Sequence, residues 1–255
     1  MLSFDRQKDA PNLEKKMKKK EKKIELGLKP IYQELLAKIN TQQSVCTFCA
    51  QWGDKFFNED NIRILFVGKS VNGWVTNSTE IEVLFGKDDS RIFARHDQMQ
   101  WVNDLAGKKE GYNTRKSAFW RVIKKTAKKI LADDDDVISR IAWSNIYKIS
   151  PSRGGNPSAK LQKIQRDYCK RILRKEIELL KPKYVIFLTS FWETEFMEYL
   201  NNGIKPKSIE TRIWDKNYKS SSYKIDDVIY LTSQHPQGKK EDKHAKILTD
   251  LIKNS

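Results

Sequence analysis

Polar side chains follow several short apolar runs at the points where those runs end. Gly68, Lys69, Ser70, Asn72 and Trp74 come directly after the run 63–67. Asn145 lies in the run 141–147, and His235 follows the run 228–232. Amide, hydroxyl and imidazole groups can orient a water, read the polar edge of a ligand, or stabilise negative charge on a leaving group. They can act together only if the fold brings these run ends to one place.

The spacing of the apolar runs predicts such a fold. The runs 63–67, 141–147, 184–188 and 228–232 are short and separated by helical patterns, which is typical of parallel strands buried on both faces. Helices are expected near 117–131, 158–180, 191–201 and 240–253, with Ser117 and Ser158 as N-caps. Right-handed crossovers then give a three-layer α/β/α sandwich around a four-stranded parallel sheet. Ligands bind at the carboxyl ends of such strands, so the site joins the first, second and fourth ends.

The first 58 residues differ in composition from the rest. Residues 15–23 are almost all lysine, so we interpret residues 1–58 as a basic helical extension and residues 59–255 as the main domain. Pro30 to about Asn40 has helical spacing and predicts the first packed helix. The lysine-rich segment fits either an arm that grips phosphates or a solvated helical extension.

The overall charge favours an anionic partner. The 255 residues carry 49 Lys and Arg against 33 Asp and Glu, a net charge of +16. Nucleic acid is the first candidate and an anionic membrane surface the second. No apolar run reaches the roughly 20 residues of a membrane span, and no signal peptide is visible at the start. We expect a cytoplasmic protein with no membrane partner, most simply a monomer.

Two further segments leave alternatives open. Cys46 and Cys49 have the spacing of a metal knuckle or a redox pair, and Cys169 with His96 or His244 could complete a ligand set. Reduced thiols are the favoured interpretation, and no metal or other cofactor is expected. The connection 75–116 is long for a βα loop, and its mixture of Arg91, Arg95, His96, Trp101 and Asp104 suits contacts to a nucleic acid.

The order of these motifs resembles the uracil-DNA glycosylase superfamily. The resemblance rests on Gly68–Trp74 after the first strand, Asn145 in Ser144–Lys148, and His235-Pro236 after the last strand. The stretch from Pro151 to Ser190, with Gly154-Gly155-Asn156-Pro157, a long helix and Leu180-Lys181-Pro182-Lys183 before a strand, is similar as well. The resemblance as a whole covers roughly residues 60 to 252.

The resemblance implies a function and a set of roles. Members flip a damaged or mispaired base out of DNA and hydrolyse its N-glycosidic bond without a metal. It implies that Asn145 reads the base, that His235 hydrogen-bonds the departing base, and that Gly68 lets the backbone approach the ligand. Trp74 and Phe119 could stack on the base. The basic residues expected at nucleic-acid phosphates are Lys69, Lys239, Lys240 and Lys243.

The water-positioning motif departs from the family pattern. Members commonly have Gly-x-Asp-Pro, Gly-x-Asn-Pro or Gly-x-Ala-Pro, whereas Ser70 stands in the third position here and Val71 follows it. Ser70 or Asn72 can orient a water but cannot take its proton as a carboxylate does. The alternatives are therefore a base glycosylase and a catalytically weak member that binds nucleic acid or a base without cleavage. A nucleotide hydrolase is less favoured, because the sequence lacks a phosphate-binding loop of the Gly-x-x-x-x-Gly-Lys type. A non-enzymatic adaptor is less favoured as well, because it does not need polar groups that converge at the strand ends.

Overall fold

The computed structural model describes residues 10–39, 44–74, 81, 84, 98–132 and 136–255. The predicted contacts from Arg91, Arg95 and His96 lie outside these residues. The helices are α1 (Ala10–Leu36), α2 (Trp101–Asp104), α3 (Ala118–Leu131), α4 (Ala159–Leu180), α5 (Thr194–Leu200) and α6 (Glu241–Lys253). The strands are β1 (Val45–Thr47), β2 (Gln51–Trp52), β3 (Ile64–Gly68), β4 (Ile141–Asn145), β5 (Ile149–Pro151), β6 (Tyr184–Leu188), β7 (Glu210–Trp214), β8 (Tyr218–Ile225) and β9 (Val228–Ser233).

The main sheet is mixed, and within the described residues it has seven strands where the sequence predicted four parallel ones. Its order is β2-β4-β3-β6-β9-β8-β7. β3 is parallel to both β4 and β6, and β6 is parallel to β9. β2, β8 and β7 pair antiparallel at the two sides. β7 and β8, which were not among the predicted strands, form a hairpin that extends the sheet.

The buried residues form two hydrophobic clusters that share the strands of the sheet. Alternate residues of β3 belong to different clusters: Leu65 and Val67 to the first, Ile64 and Phe66 to the second. Side chains of a strand point alternately to opposite faces, so the two clusters mark the two faces of the sheet. The first cluster also contains residues of α1, α4 and α5, and the second contains residues of α3 and α6.

The predicted helices are confirmed close to their expected bounds. Ser117 Oγ accepts a hydrogen bond from the Trp120 amide at 3.5 Å, and Ser158 Oγ accepts one from the Leu161 amide at 3.3 Å. Each cap satisfies a backbone N–H group that the first helical turn leaves unpaired, which sets where α3 and α4 begin. These two helices flank the strand ends that concern function.

The first helix is longer than predicted. α1 runs without interruption from Ala10 to Leu36, so Pro30 lies inside it rather than at its start. A proline inside a helix removes a backbone hydrogen bond, but the buried side chains of Ile24, Leu28, Tyr32 and Leu35 continue across it. Packing on α4 therefore outweighs the local penalty. The predicted boundary near residue 58 stays a prediction. Buried side chains of α1, β1 and β2 belong to the same hydrophobic clusters as the strands of the main sheet.

Candidate functional site

A cavity of about 820 Å³ lies at the carboxyl ends of β3 and β4 and beside the segment that follows β9. It is lined by the loop 68–74, by parts of the segment 101–120, by Trp143 and Asn145 of β4, and by His235 and Gln237. The predicted site residues on this wall are Gly68, Lys69, Ser70, Asn72, Trp74, Phe119, Asn145 and His235. Lys239, Lys240 and Lys243 lie outside it. The run ends that the sequence singled out therefore meet around one volume.

His235 is held as a neutral imidazole that faces the cavity. Burial, followed by the charges of Lys69 and Lys239, lowers the pKa of His235 from its ordinary value of 6.5 to about 4. The Gln237 amide donates a hydrogen bond to Nδ1 at 3.3 Å, which places the proton of the neutral ring on Nε2. The His235 amide donates to Ser190 Oγ at 2.8 Å, and the ring stacks on Phe119 with centroids 6.1 Å apart. Nε2–H is therefore a fixed donor near neutral pH.

Asn145 occupies the last position of β4, directly opposite Gly68 in the parallel register. Its side chain is 1% exposed, and its Nδ2 has no hydrogen-bond partner among the described residues. A buried amide donor without a partner costs free energy, so such a group in a cavity wall fits a ligand that brings an acceptor. Sequence reasoning placed Asn145 at this edge because a polar amide ends an otherwise apolar strand.

Gly68 leaves space that a side chain would fill. A Cβ built there would lie 2.5 Å from Asn145 Oδ1 and 3.2 Å from Phe119 Cζ. The first distance is shorter than a van der Waals contact permits, so a methyl group must displace Asn145 or Phe119.

We therefore expect Gly68→Ala to disturb the cavity more than the fold. Overpacking a site of this kind costs about 1–3 kcal/mol of unfolding free energy. Ligand affinity should fall by more than that loss alone accounts for, because Asn145 moves. Urea unfolding together with binding titrations checks this. Gly203→Ala is the control, because its φ of 84° makes a side chain costly to stability, whereas nothing lies within 4 Å of a Cβ there and Gly203 does not line the cavity. It should lose stability and keep its ligand affinity. Unchanged affinity in Gly68→Ala would contradict the close packing.

A buried ionic network supports Asn145 from behind. Lys148 Nζ donates hydrogen bonds to the Asn145 carbonyl at 2.8 Å, to Ser144 Oγ at 2.6 Å and to Glu176 Oε2 at 2.9 Å. The side chains of Lys148 and Glu176 are both fully buried. Sequence reasoning missed this network. Its signal was a glutamate on the apolar face of α4, three residues after Leu173 and four before Leu180.

Ser70 and Asn72 tie the loop after β3 to a neighbouring turn. Ser70 Oγ donates to Asn156 Oδ1 at 3.2 Å, and Asn72 Oδ1 accepts a hydrogen bond from the Gly155 amide at 2.5 Å. Gly154 lies so close that a Cβ there would be 2.7 Å from Asn72 Oδ1. Both side chains thus already make bonds that shape the loop. Their predicted role in positioning water stays a prediction.

The aromatic wall of the cavity is larger than the sequence indicated. Trp74 packs edge-to-face on Trp101, Trp143 and Phe48 with centroids 5.3–5.6 Å apart. Phe119 is half-buried, as Trp74 is, and its ring stacks on His235. Trp101, which was predicted only as part of a connection suited to nucleic-acid contacts, lines the cavity as well. Trp143 also lines it and was not singled out in the sequence.

The charge around the cavity has one sign. The lining contains Lys69, Lys108, Lys109 and Lys116 and includes no aspartate or glutamate among the described residues. Burial, followed by the charge of Lys239, lowers the pKa of Lys69, whose Nζ lies 4.7 Å from the centre of the Trp192 ring. A cavity lined by cations attracts anionic or acceptor-rich ligands.

The lysines after His235 lie beside the β7–β8 turn. Lys240 Nζ and Lys243 Nζ are each 3.7 Å from Asp215 Oδ1, and Lys239 Nζ is 4.9 Å from the centre of the Tyr218 ring. The side chains of Lys240 and Lys243 are more than half exposed. Asp215 offsets part of their charge, and their predicted contacts to phosphates stay a prediction.

The three cysteines are buried and free. Burial raises the pKa of Cys169 to about 12 and raises that of Cys46 and Cys49 as well. Within the described ranges no group of three or more His, Cys, Asp or Glu side chains could hold a metal ion. His244 is hydrogen-bonded to Ser233 Oγ at 2.8 Å, and His96 lies outside the described residues.

Comparison with known proteins leaves the family open. No family model matches this chain, and no curated protein does. Of the helices that the structure describes, none combines the length and the apolar character that crossing a membrane requires. The assignment of function therefore rests on the cavity and its residues.

Proposed function

We propose that the cavity binds a nucleobase of DNA and that the chain is a base-glycosylase-like protein, a divergent relative of the uracil-DNA glycosylase superfamily. The observation that carries this proposal is the meeting of the neutral His235 donor and the unpaired Asn145 amide on one aromatic wall. Pyrimidine and purine edges offer the carbonyl and ring-nitrogen acceptors that these donors need, and their faces stack on rings such as Phe119.

The fold supports the same proposal. We interpret the parallel strands β4-β3-β6-β9 as the central layer of an α/β/α sandwich, with α1, α4 and α5 on one face and α3 and α6 on the other. In such sheets ligands bind beyond the carboxyl ends of the strands, which is where the cavity lies. The hairpin β7–β8 then extends an otherwise parallel core.

The proposed chemistry depends on the leaving group. Water adds to C1′ of the nucleotide as the C1′–N bond breaks, and the electron pair of that bond leaves with the base. The proton that the water loses passes to the departed base or to solvent. His235 Nε2–H donates a hydrogen bond to the oxygen on which negative charge builds, and the lysine-rich lining lowers the energy of that anion. Among the described residues, the cavity lining includes no carboxylate to take the proton from water, so we expect bases that depart readily as anions to react fastest.

A second candidate is a protein that binds a base without cleaving it. The described part of the cavity lining contains lysines and no carboxylate, which favours this candidate, because a positive field raises the energy of the cationic sugar that forms during hydrolysis. The bonds of Ser70 and Asn72 also favour binding without cleavage, since both side chains already hold the loop to residues 155 and 156.

Excision from a panel of labelled oligonucleotides tests the proposal. Strands that contain uracil, hypoxanthine, xanthine or a thymine mismatch are incubated with the protein, and abasic sites are revealed by alkali. We expect an abasic product on at least one substrate. Base-dependent binding without product on any of them supports the second candidate. No product on any substrate together with affinity that does not depend on the base overturns both candidates.

A further inference from the structure

A basic and aromatic segment borders the cavity. Residues 107–116, called the lip here, contribute Lys108, Lys109, Tyr112 and Lys116 to the cavity lining. All four side chains are exposed, and Tyr112 is 52% exposed. No described carboxylate pairs with these lysines, and Glu110 of the lip does not line the cavity.

The lip is held in a defined shape. Asn113 Oδ1 accepts hydrogen bonds from the Gly107 amide at 3.1 Å and the Arg115 amide at 2.9 Å, and its Nδ2 donates to the Lys108 carbonyl at 2.8 Å. Thr114 Oγ1 donates to the Val102 carbonyl at 2.7 Å. Gly107 and Gly111 supply the positive φ angles of 86° and 74° that the turns require. The backbone positions that carry the exposed ring and the lysines are therefore fixed relative to the cavity.

The ring of Tyr112 is the outer end of an aromatic series. Its centroid is 6.4 Å from that of Trp101, which lies 5.6 Å from Trp74 and 5.7 Å from Trp143 inside the cavity wall. The cavity volume of about 820 Å³ lies in the upper part of the range of roughly 300–1,000 Å³ for pockets that hold drug-sized ligands. There is room for more than one base, with a second ring face at the rim.

We infer that the lip binds a single strand of nucleic acid, with the base next to the bound one stacked on Tyr112 and the adjoining phosphates on Lys108, Lys109 and Lys116. This inference rests on the proposed function and names its substrate class. Exposed aromatic rings interleaved with lysines are how proteins hold single strands, because unpaired bases can leave their own stack and phosphates need only positive charge. In a duplex the neighbouring base is already stacked and paired, so Tyr112 gains nothing from it.

Fluorescence anisotropy with a labelled single-stranded DNA 12-mer and with the duplex of the same sequence tests the inference. The wild-type chain should bind the single strand more tightly at equal salt. Tyr112→Ala should weaken single-strand binding about tenfold and leave the duplex affinity unchanged, as expected for loss of one stacked base. Tyr112→Phe keeps the ring face and should retain the affinity.

The lysines are tested through salt dependence. Lys108→Ala/Lys109→Ala should lower the magnitude of the slope of log K against log salt by about 1.4, since each phosphate contact on a single strand contributes about 0.7. The control is Lys183→Ala/Lys253→Ala, which removes the same charge next to the amino end of β6 and at the end of α6, away from the cavity. Equal effects of the two pairs, or a duplex bound as tightly as the single strand, would overturn the inference.

These experiments distinguish failure of the inference from failure of the proposed function. His235→Ala should lower base excision while single-strand affinity persists through the lip. If base dependence is absent in the wild type but Tyr112→Ala still weakens single-strand binding, the proposed function fails and the lip stands. If base excision is present and Tyr112→Ala leaves single-strand affinity unchanged, the inference about the lip is wrong and the proposed function stands.

Discussion

His235→Ala should lower the rate of base excision about 10²- to 10³-fold, the usual cost of removing one donor that stabilises a developing anion. The loss should appear mainly in kcat, because the hydrogen bond strengthens as charge builds on the departing base. Stability should change little. The ring is partly exposed and stacks on Phe119, and the His235 amide keeps its bond to Ser190.

His244→Ala is the matched control for this prediction. His244 is fully buried, accepts or donates one bond with Ser233 Oγ, and stacks on Trp214 with centroids 4.7 Å apart. Its removal should lower Tm clearly, since it leaves a cavity and an altered hydroxyl network. A His235→Ala chain that excises at the wild-type rate, or that loses Tm as His244→Ala does, would contradict the role given to His235.

The pH dependence provides a further check on the neutral ring. The pKa of His235 is about 4 and that of His244 about 3, both lowered by burial from 6.5. In the folded chain both rings stay neutral down to about pH 4, whereas in the unfolded chain they bind protons below 6.5. The unfolded state therefore holds more protons between these values, and stability falls as the pH drops through that window.

Excision should consequently be flat between pH 6 and 8, because the donor form of His235 does not change there. Thermal melts between pH 4.5 and 7 should show Tm rising with pH, and His244→Ala should weaken that rise. A rate that increases on acidification with an apparent pKa above 6 would mean that a charged imidazole is the active form.

The sequence predicted the elements that carry strong local signals. α3 and α4 begin one residue after Ser117 and Ser158 because a hydroxyl cap and a following apolar stripe both mark a helix start. The strand ends at Gly68 and Asn145 were readable because polar residues follow apolar runs there. The convergence of these ends follows from parallel pairing, since it puts all carboxyl ends at one edge.

Features that depend on residues distant in sequence could not be predicted from local sequence patterns. β8 contains Ser220, Ser221 and Ser222, a composition with little β-propensity, and it becomes a strand because β7 and β9 flank it. Lys148 and Glu176 are 28 residues apart, and nothing local pairs them. Trp101 and Tyr112 reach the cavity from a connection whose path no periodicity describes.

The largest effect on stability is expected for Lys148→Met. The change removes the cation but leaves Glu176 fully buried, with Oε1 already lacking a hydrogen-bond partner among the described residues. Breaking a buried ion pair from one side costs about 3–5 kcal/mol of unfolding free energy. Urea unfolding followed by tryptophan fluorescence measures the loss.

The double variant Lys148→Met/Glu176→Leu distinguishes the contribution of the ion pair to stability from the role of Lys148 in positioning Asn145. Replacing both charges with apolar groups of similar size is often neutral, so much of the lost stability should return. The main-chain carbonyl of Asn145 still lacks the Lys148 Nζ donor that lies 2.8 Å from it in the wild type. Base affinity should therefore stay reduced in the double variant. A stable double variant with wild-type affinity would mean that the ion pair serves the fold alone. Restored stability with weak binding would identify Lys148 as the residue that positions Asn145.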